Sequence, residues 1–438
     1  MDTTQKQLRA FTDTPALQAS ISFRERLLLV LAGLFLLVIQ SGLIAARQFS
    51  PIDYWHFAVW VGCAIAGHLV LHKRVPRRDP FMFPIVMLLT GWGLTVIERT
   101  APGFVSRQTI WLAISVGVMI AILYAPHNLR WLSRYRYLWL VVGLILLMLT
   151  VLIGRNPTSI YGPRLWLGIF DAYFQPSELL KVLLVAFLAS YLADYQSNLS
   201  VRIKIPGIGN FYLPSARFLG PVLLMWGISI VVLALQQDLG TATLFFIIFV
   251  TMLYVASGQA IYVIEGAALL LIGGVIGYMV FSVVRLRVDI WLNPWADSGG
   301  RAFQIVQSLL AFSAGGIFGA GVTQGSPVYI PVVHSDFIFA AIGEEWGLLG
   351  TLAITACIAI LVIRGLKVAT MIHTRPFRSF LAAGLSITIA AQSLMIMGGV
   401  LKLIPLTGVT LPFLSYGGSS LLINFIMVGL LLVLSNEA

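Results

Sequence analysis

Asp297 lies between Trp295 and a Ser298-Gly299-Gly300 turn, with Arg285 and Arg287 upstream and Arg301 four residues on. A carboxylate set beside cations suits a general base that takes a proton from a sugar hydroxyl next to an anionic headgroup. Arginines grip phosphate through paired N–H donors, which a point charge does less specifically. The same string also reads as a solvated turn. Gln307 and Ser308 extend the polar stretch. Upstream, Glu178 and Lys181 stand three apart behind Pro176, a spacing that pairs them along one face of a new helix, either as a structural lock or as a substrate contact. Asp238, ahead of Leu239-Gly240-Thr241, fits a helix cap or a catalytic carboxylate. Glu265 sits in an apolar run and is expected to face other helices. His334 and Asp336, followed by Gly343-Glu344-Glu345, fit a divalent-ion site or a helix start capped by Ser335 or Asp336. The Gly- and Pro-rich stretch 405–420, with Ser415 and Tyr416, is suited to walling a site, because irregular backbone at membrane depth must be buried in protein or line a wet cavity.

These residues must be positioned by helices that cross a membrane. Of 438 residues, 59% are hydrophobic and 10% are charged, whereas soluble domains carry about 25% charge. The composition gives an all-α polytopic membrane protein. Apolar runs long enough to span lie near 27–45, 54–72, 81–97, 109–125, 137–153, 179–195, 217–236, 241–256, 262–284, 346–364, 379–400 and 416–434, about twelve in all. A polar segment, 1–26, precedes them, and the run after it is too long for a signal-peptide core. The net charge of +11 reads as the positive-inside bias of membrane loops and not as a nucleic-acid footprint. Placing both termini in the cytoplasm puts five basic clusters inside, among them Lys73, Arg74, Arg77 and Arg78, and leaves nine bases outside. Five of those nine, Arg155, Arg164, Arg285, Arg287 and Arg301, fall in two outer loops, 154–178 and 285–345. Topology does not account for them, so they mark a site. Within the longer loop the stretch 305–321 is apolar and Gly-rich and suited to re-entering the membrane. Cys63 and Cys357 lie in apolar runs with neither metal spacing nor a disulfide framework.

Several strings recur together in one known family. Phe174-Gln175-Pro176-Ser177-Glu178-Leu179-Leu180-Lys181, Asp238-Leu239-Gly240-Thr241-Ala242, Asn293-Pro294-Trp295-Ala296-Asp297 with Gln307-Ser308, His334 to Phe339 with Gly343-Glu344-Glu345, and Pro405 to Ser420 stand in the order and spacing of the SEDS family (shape, elongation, division and sporulation), which includes FtsW, RodA and SpoVE. The resemblance covers about 137–435 and departs from the usual pattern at Leu165, Gln237, Ile396 and Lys402. It implies a ten-helix glycosyltransferase core with two extra N-terminal helices within 27–125, and a large outer catalytic loop, 285–345.

The resemblance further implies a peptidoglycan glycosyltransferase of the bacterial plasma membrane, acting in elongation or division. It would polymerise lipid II, an undecaprenyl-diphosphate-linked substrate, on the outer face, beside a class B penicillin-binding protein transpeptidase and other elongation or division proteins. The family's essential acidic residue maps onto Asp297, and its Pro-Ser-Glu motif maps onto Glu178 and Lys181. In the expected reaction Asp297 is the base. Arg285, Arg287, Arg301 and Arg164 compensate the diphosphate, with or without Mg2+ or Mn2+, for which no ligand set is visible. Glu178, Lys181, Gln307, Ser308, His334, Asp336, Ser415 and Tyr416 complete the expected substrate contacts. Two rivals make other demands. A lipid II flippase would place ionisable groups near the bilayer midplane, and a non-catalytic scaffold for a transpeptidase would not need Asp297.

Overall fold

The computed structural model describes residues 15–46, 54–125, 129–156, 164–169, 172–195, 201–205, 209–213, scattered positions between 227 and 234, and 236–438. In chain order its helices are α1 (Pro15–Ala46), α2 (Trp55–Arg74), α3 (Met82–Thr100), α4 (Pro102–Tyr124), the short α5 (Arg130–Arg134), α6 (Arg136–Ile153), α7 (Pro176–Tyr195), α8 (Leu239–Ser257), α9 (Ile261–Val280), α10 (Ser282–Leu292), α11 (Phe303–Gly315), α12 (Ile338–Met371), α13 (Pro376–Val400) and α14 (Gly418–Ser435). Two short antiparallel hairpins join them, β1 (Leu167–Ile169) with β2 (Ala172–Phe174) and β3 (Val201–Ile205) with β4 (Gly209–Leu213). Among the described residues 11 helices are long and apolar enough to span a membrane. They answer to all the expected spans except 217–236, most of which lies outside the described residues.

Local chemistry sets most helix ends. Proline opens α4, α7 and α13 at Pro102, Pro176 and Pro376, where its missing N–H costs nothing. Gly258, at φ +69°, closes α8 in the left-handed conformation, which favours glycine. The first helix begins at Pro15, well inside the segment expected to be polar and non-spanning. In that stretch Glu25 is fully buried and accepts two N–H bonds from Arg78 at 2.6 and 2.8 Å, while Arg24 and Arg26 are exposed.

The chain divides into two compact units. The first comprises 1–127, 311–368 and 412–438. Its core is α3, buried on almost every side, together with α4 and α14, which pack so closely that a Cβ on Gly418 would lie 2.3 Å from the Trp111 ring. In this unit α12 is broken at Gly347, whose φ is +65°. The Gly-rich segment after α11 lies in that break: Leu348 N–H donates to the Gly316 carbonyl at 2.9 Å, and Ala320 N–H to the Glu344 carbonyl at 2.8 Å. The stretch expected to re-enter the membrane is thus a 13-residue helix, too short to cross, followed by backbone docked on a kinked helix.

The second unit comprises 128–310 and 369–411. Its centre is α7 and α13, with α6 and α8 against them; Gly384 lets α13 approach Val185 and Met252. Most of α9 is exposed, including Glu265, contrary to the expectation that this carboxylate faces other helices. Glu265 lies only five residues into α9, close to the end of the span, where a carboxylate stays near the aqueous edge.

Candidate active site

After α10, Asn293 leaves the helical conformation and Pro294 starts a single 3-10 turn, Pro294–Asp297. The backbone then wraps around Asp297, whose carbonyl accepts N–H bonds from Gly300 at 3.1 Å and Ala302 at 3.3 Å. Its carboxylate Oδ2 accepts from the Arg301 backbone N–H at 3.2 Å and from Arg301 Nε at 3.0 Å. A Cβ on Gly300 would lie 2.2 Å from Asp297 Oδ1, so glycine is what allows the wrap. The Arg301 bonds hold the Asp297 carboxyl below its usual range. The residue is ionised at neutral pH and partly open to solvent.

The other cations of this loop are fixed differently. Arg287 Nη1 donates to the Thr407 carbonyl at 3.1 Å, and Trp291 Nε1 to the Lys402 carbonyl at 3.1 Å. These bonds tie α10 to the 401–411 loop. Arg285 instead donates to the carbonyls of Tyr278 and Met279 at 3.3 and 3.0 Å, closing the end of α9. Ser308 is buried and donates to the Val400 carbonyl at 3.2 Å, while Gln307 beside it is half-buried. Arg164 is exposed, just ahead of Trp166, which pairs through its backbone with Arg155.

Deeper in the same unit, Glu178 occupies the first turn of α7, where the helix dipole favours a carboxylate. Its Oε2 is 2.6 Å from Lys181 Nζ. Lys181 also donates to Gln392 Oε1 at 2.7 Å, and Gln392 Nε2 donates to the Thr410 carbonyl at 2.8 Å. Asp238 caps α8 by accepting from Thr241 N–H at 3.2 Å and takes a longer bond from Ser177 Oγ at 3.4 Å. Burial pushes its carboxyl up against the lowering effect of those Thr241 bonds. Two residues on, a Cβ on Gly240 would lie 2.2 Å from the Thr407 carbonyl oxygen. The 401–411 loop therefore receives Trp291 at Lys402, Arg287 and Gly240 at Thr407, and Gln392 at Thr410.

The remaining expected residues lie in the first unit. Tyr416 N–H donates to the His334 carbonyl at 2.8 Å and Ser415 Oγ to the Ser335 carbonyl at 2.5 Å. The His334 ring stacks on Phe104 at 4.8 Å, and burial pushes its imidazole down, so it is neutral at pH 7. Ser335 Oγ donates to Asp336 Oδ1 at 2.9 Å. The helix α12 begins at Ile338, which puts Phe337 and not Ser335 or Asp336 at the preceding position. Among the described residues no three His, Cys, Asp or Glu side chains converge on a point where a metal ion would sit. Gln392 and the packing role of Gly240 have no counterpart among the sequence expectations, and Thr410 figures there only within the 405–420 stretch. A glutamine within an apolar run was the available signal for the first.

The model of the FtsW/RodA/SpoVE family, described as cell cycle proteins, matches residues 80–438. This chain belongs to that family. Among its relatives, the peptidoglycan glycosyltransferase RodA of Mycobacterium tuberculosis is 37% identical over 384 residues, covering 85% of this chain and 81% of that one. The stage V sporulation protein E of Bacillus subtilis is 35% identical, covering 76% and 87%. A chain solved in a peptidoglycan synthase complex that coordinates polymerization and crosslinking superposes with a TM-score of 0.66 at 25% identity, over 82% of this chain and 98% of that one. The family match leaves out α1 and α2, which precede residue 80. With 11 candidate spans among its described residues, this FtsW/RodA/SpoVE member is a multi-pass membrane protein.

Proposed function

We propose that this chain is a peptidoglycan glycosyltransferase that polymerises lipid II on the outer face of the plasma membrane, with both termini cytoplasmic. The observation that carries the reading is Asp297, an ionised, partly exposed carboxylate that Arg301 and Gly300 hold in one geometry inside the family-matched region. Asp297 takes the proton of the acceptor GlcNAc 4-hydroxyl as that oxygen attacks C1 of the donor MurNAc. The C1–oxygen bond to the diphosphate breaks with inversion, and undecaprenyl diphosphate leaves with the electron pair. A carboxylate with a lowered pKa is a weak base towards a free alcohol. It suffices here because the hydroxyl becomes acidic only as the new bond forms. The leaving group needs charge compensation and orientation more than protonation. Arg301, Arg287 and Arg164 carry that charge, and the exposed Arg301 exchanges its carboxylate for phosphate most readily.

A class B penicillin-binding protein is the proposed partner, on the strength of the solved relative that works in a synthase complex. The test is to incubate the purified chain, alone and with its transpeptidase, with lipid II and to size the products on a gel. Glycan strands from wild type and none from Asp297→Ala are expected. Polymer made by Asp297→Ala would remove the base from the proposal. Translocation of lipid II without polymer would replace the enzyme by a transporter.

A further inference from the structure

Gln392 is fully buried in the middle of α13, in a span where an amide has no water to turn to. Its two ends face partners of opposite kind. Lys181 Nζ, 2.7 Å from Oε1, is donor-only, and the Thr410 carbonyl, 2.8 Å from Nε2, is acceptor-only. The amide therefore has one orientation, since flipping it would set donor against donor and acceptor against acceptor. On one side the bond completes the surroundings of an ammonium group already 2.6 Å from Glu178. On the other it fixes Thr410, three residues beyond the Thr407 carbonyl that holds Arg287 at 3.1 Å. One loop thus sets the position of a buried cation and of a cation in the catalytic loop. Gln392 bonds both the buried cation and the loop.

We propose that Gln392 is a positioning residue for glycosyl transfer, its amide latching the 401–411 loop to Lys181 so that Lys181 and Arg287 are placed by one scaffold. The proposal rests on the polymerase reading given above. Gln392 touches neither substrate nor reacting atom. It acts through Lys181 and through the loop.

The test compares Gln392→Met, which keeps the length and loses both bonds, with Gln392→Glu, which keeps an acceptor for Lys181 and loses the donor to Thr410. Each is purified in membrane nanodiscs with the partner transpeptidase. Turnover, KM for lipid II and melting temperature are measured, together with the mobility of a spin label at Leu403→Cys, an exposed loop position, after Cys63 and Cys357 are replaced. Gln392→Met is expected to lower kcat about tenfold or more, with KM within about threefold, and to loosen the label, as the loss of a hydrogen bond to a charged group implies. Gln392→Glu is expected to loosen the label as much and to lower kcat less. A Gln392→Met protein with wild-type kcat and label mobility overturns the proposal. So does one whose loss of activity is matched by loss of folded protein, with normal turnover per folded molecule. If wild type makes no polymer, the polymerase reading fails by itself, and the label still reports whether the latch exists.

Discussion

Two ion pairs in the second unit share nearly the same sequence spacing and differ in everything else. Asp297–Arg301 pairs at i, i+4 with its side chains 43% and 72% exposed, whereas Glu178–Lys181 pairs at i, i+3 with 11% and 1%. The exposed pair sits in high dielectric, is screened by salt and gives up its partner at little cost. The buried pair cannot, because either charge left alone in the interior would be strongly disfavoured. A carboxylate proposed to change partners during a reaction is better served by the first pair. The second suits a fixed point of charge and shape.

That contrast can be broken at both ends. The largest expected effect is from Asp297→Asn, which keeps the shape and removes the proposed base. Polymerisation should fall by about 10²- to 10⁴-fold with an unchanged melting temperature, read by gel assay and thermal unfolding of the same preparation. Lys181→Met should do the reverse in kind. It leaves Glu178 buried beside an apolar chain and is expected to destabilise the protein by about 3–5 kcal/mol, seen as loss of folded material before any turnover is measured.

A smaller effect sharpens the geometry of the exposed pair. Gly300→Ala puts a methyl where Asp297 Oδ1 now lies, 2.2 Å from the new carbon, so the carboxylate must move. Displacements of about 1 Å cost up to about 10²-fold in rate, and kcat should drop while lipid II binding is retained.

The smallest effect is electrostatic. Arg301 lowers the Asp297 carboxyl, so the acid limb of the pH–rate profile should lie below the ordinary carboxylate range, and Arg301→Gln should move it up towards that range. The linked stability has the matching sign. A depressed carboxyl contributes above its unfolded value, and the contribution disappears as pH falls through the folded one. Added salt should reproduce part of the Arg301→Gln shift at Asp297 and none of the Lys181→Met effect.

Much of the site was legible because its signals are local. Pro176 starting α7, Glu178 in the first turn and Lys181 one turn on follow from spacing alone, as does Asp238 capping α8. Gln392 was not legible, since its partners lie 211 residues away in one direction and 18 in the other. Arg285 shows the converse. Its sequence position beside Arg287 suggests a shared task, but its side chain turns back to the carbonyls of α9 while that of Arg287 crosses to Thr407. Helical phase and loop packing decide which of two neighbouring cations faces a site, and neither is written in their spacing.

By itself the sequence determined the solvent, the spans seen among the described residues and the local pairing of Glu178 with Lys181, because apolar length and i, i+3 pairing are short-range properties of the chain. Only the tertiary structure decided which pair is exposed and which buried. The dielectric around a charge depends on every element packed against it, and for Lys181 those elements come from α7, α13 and the loop behind them.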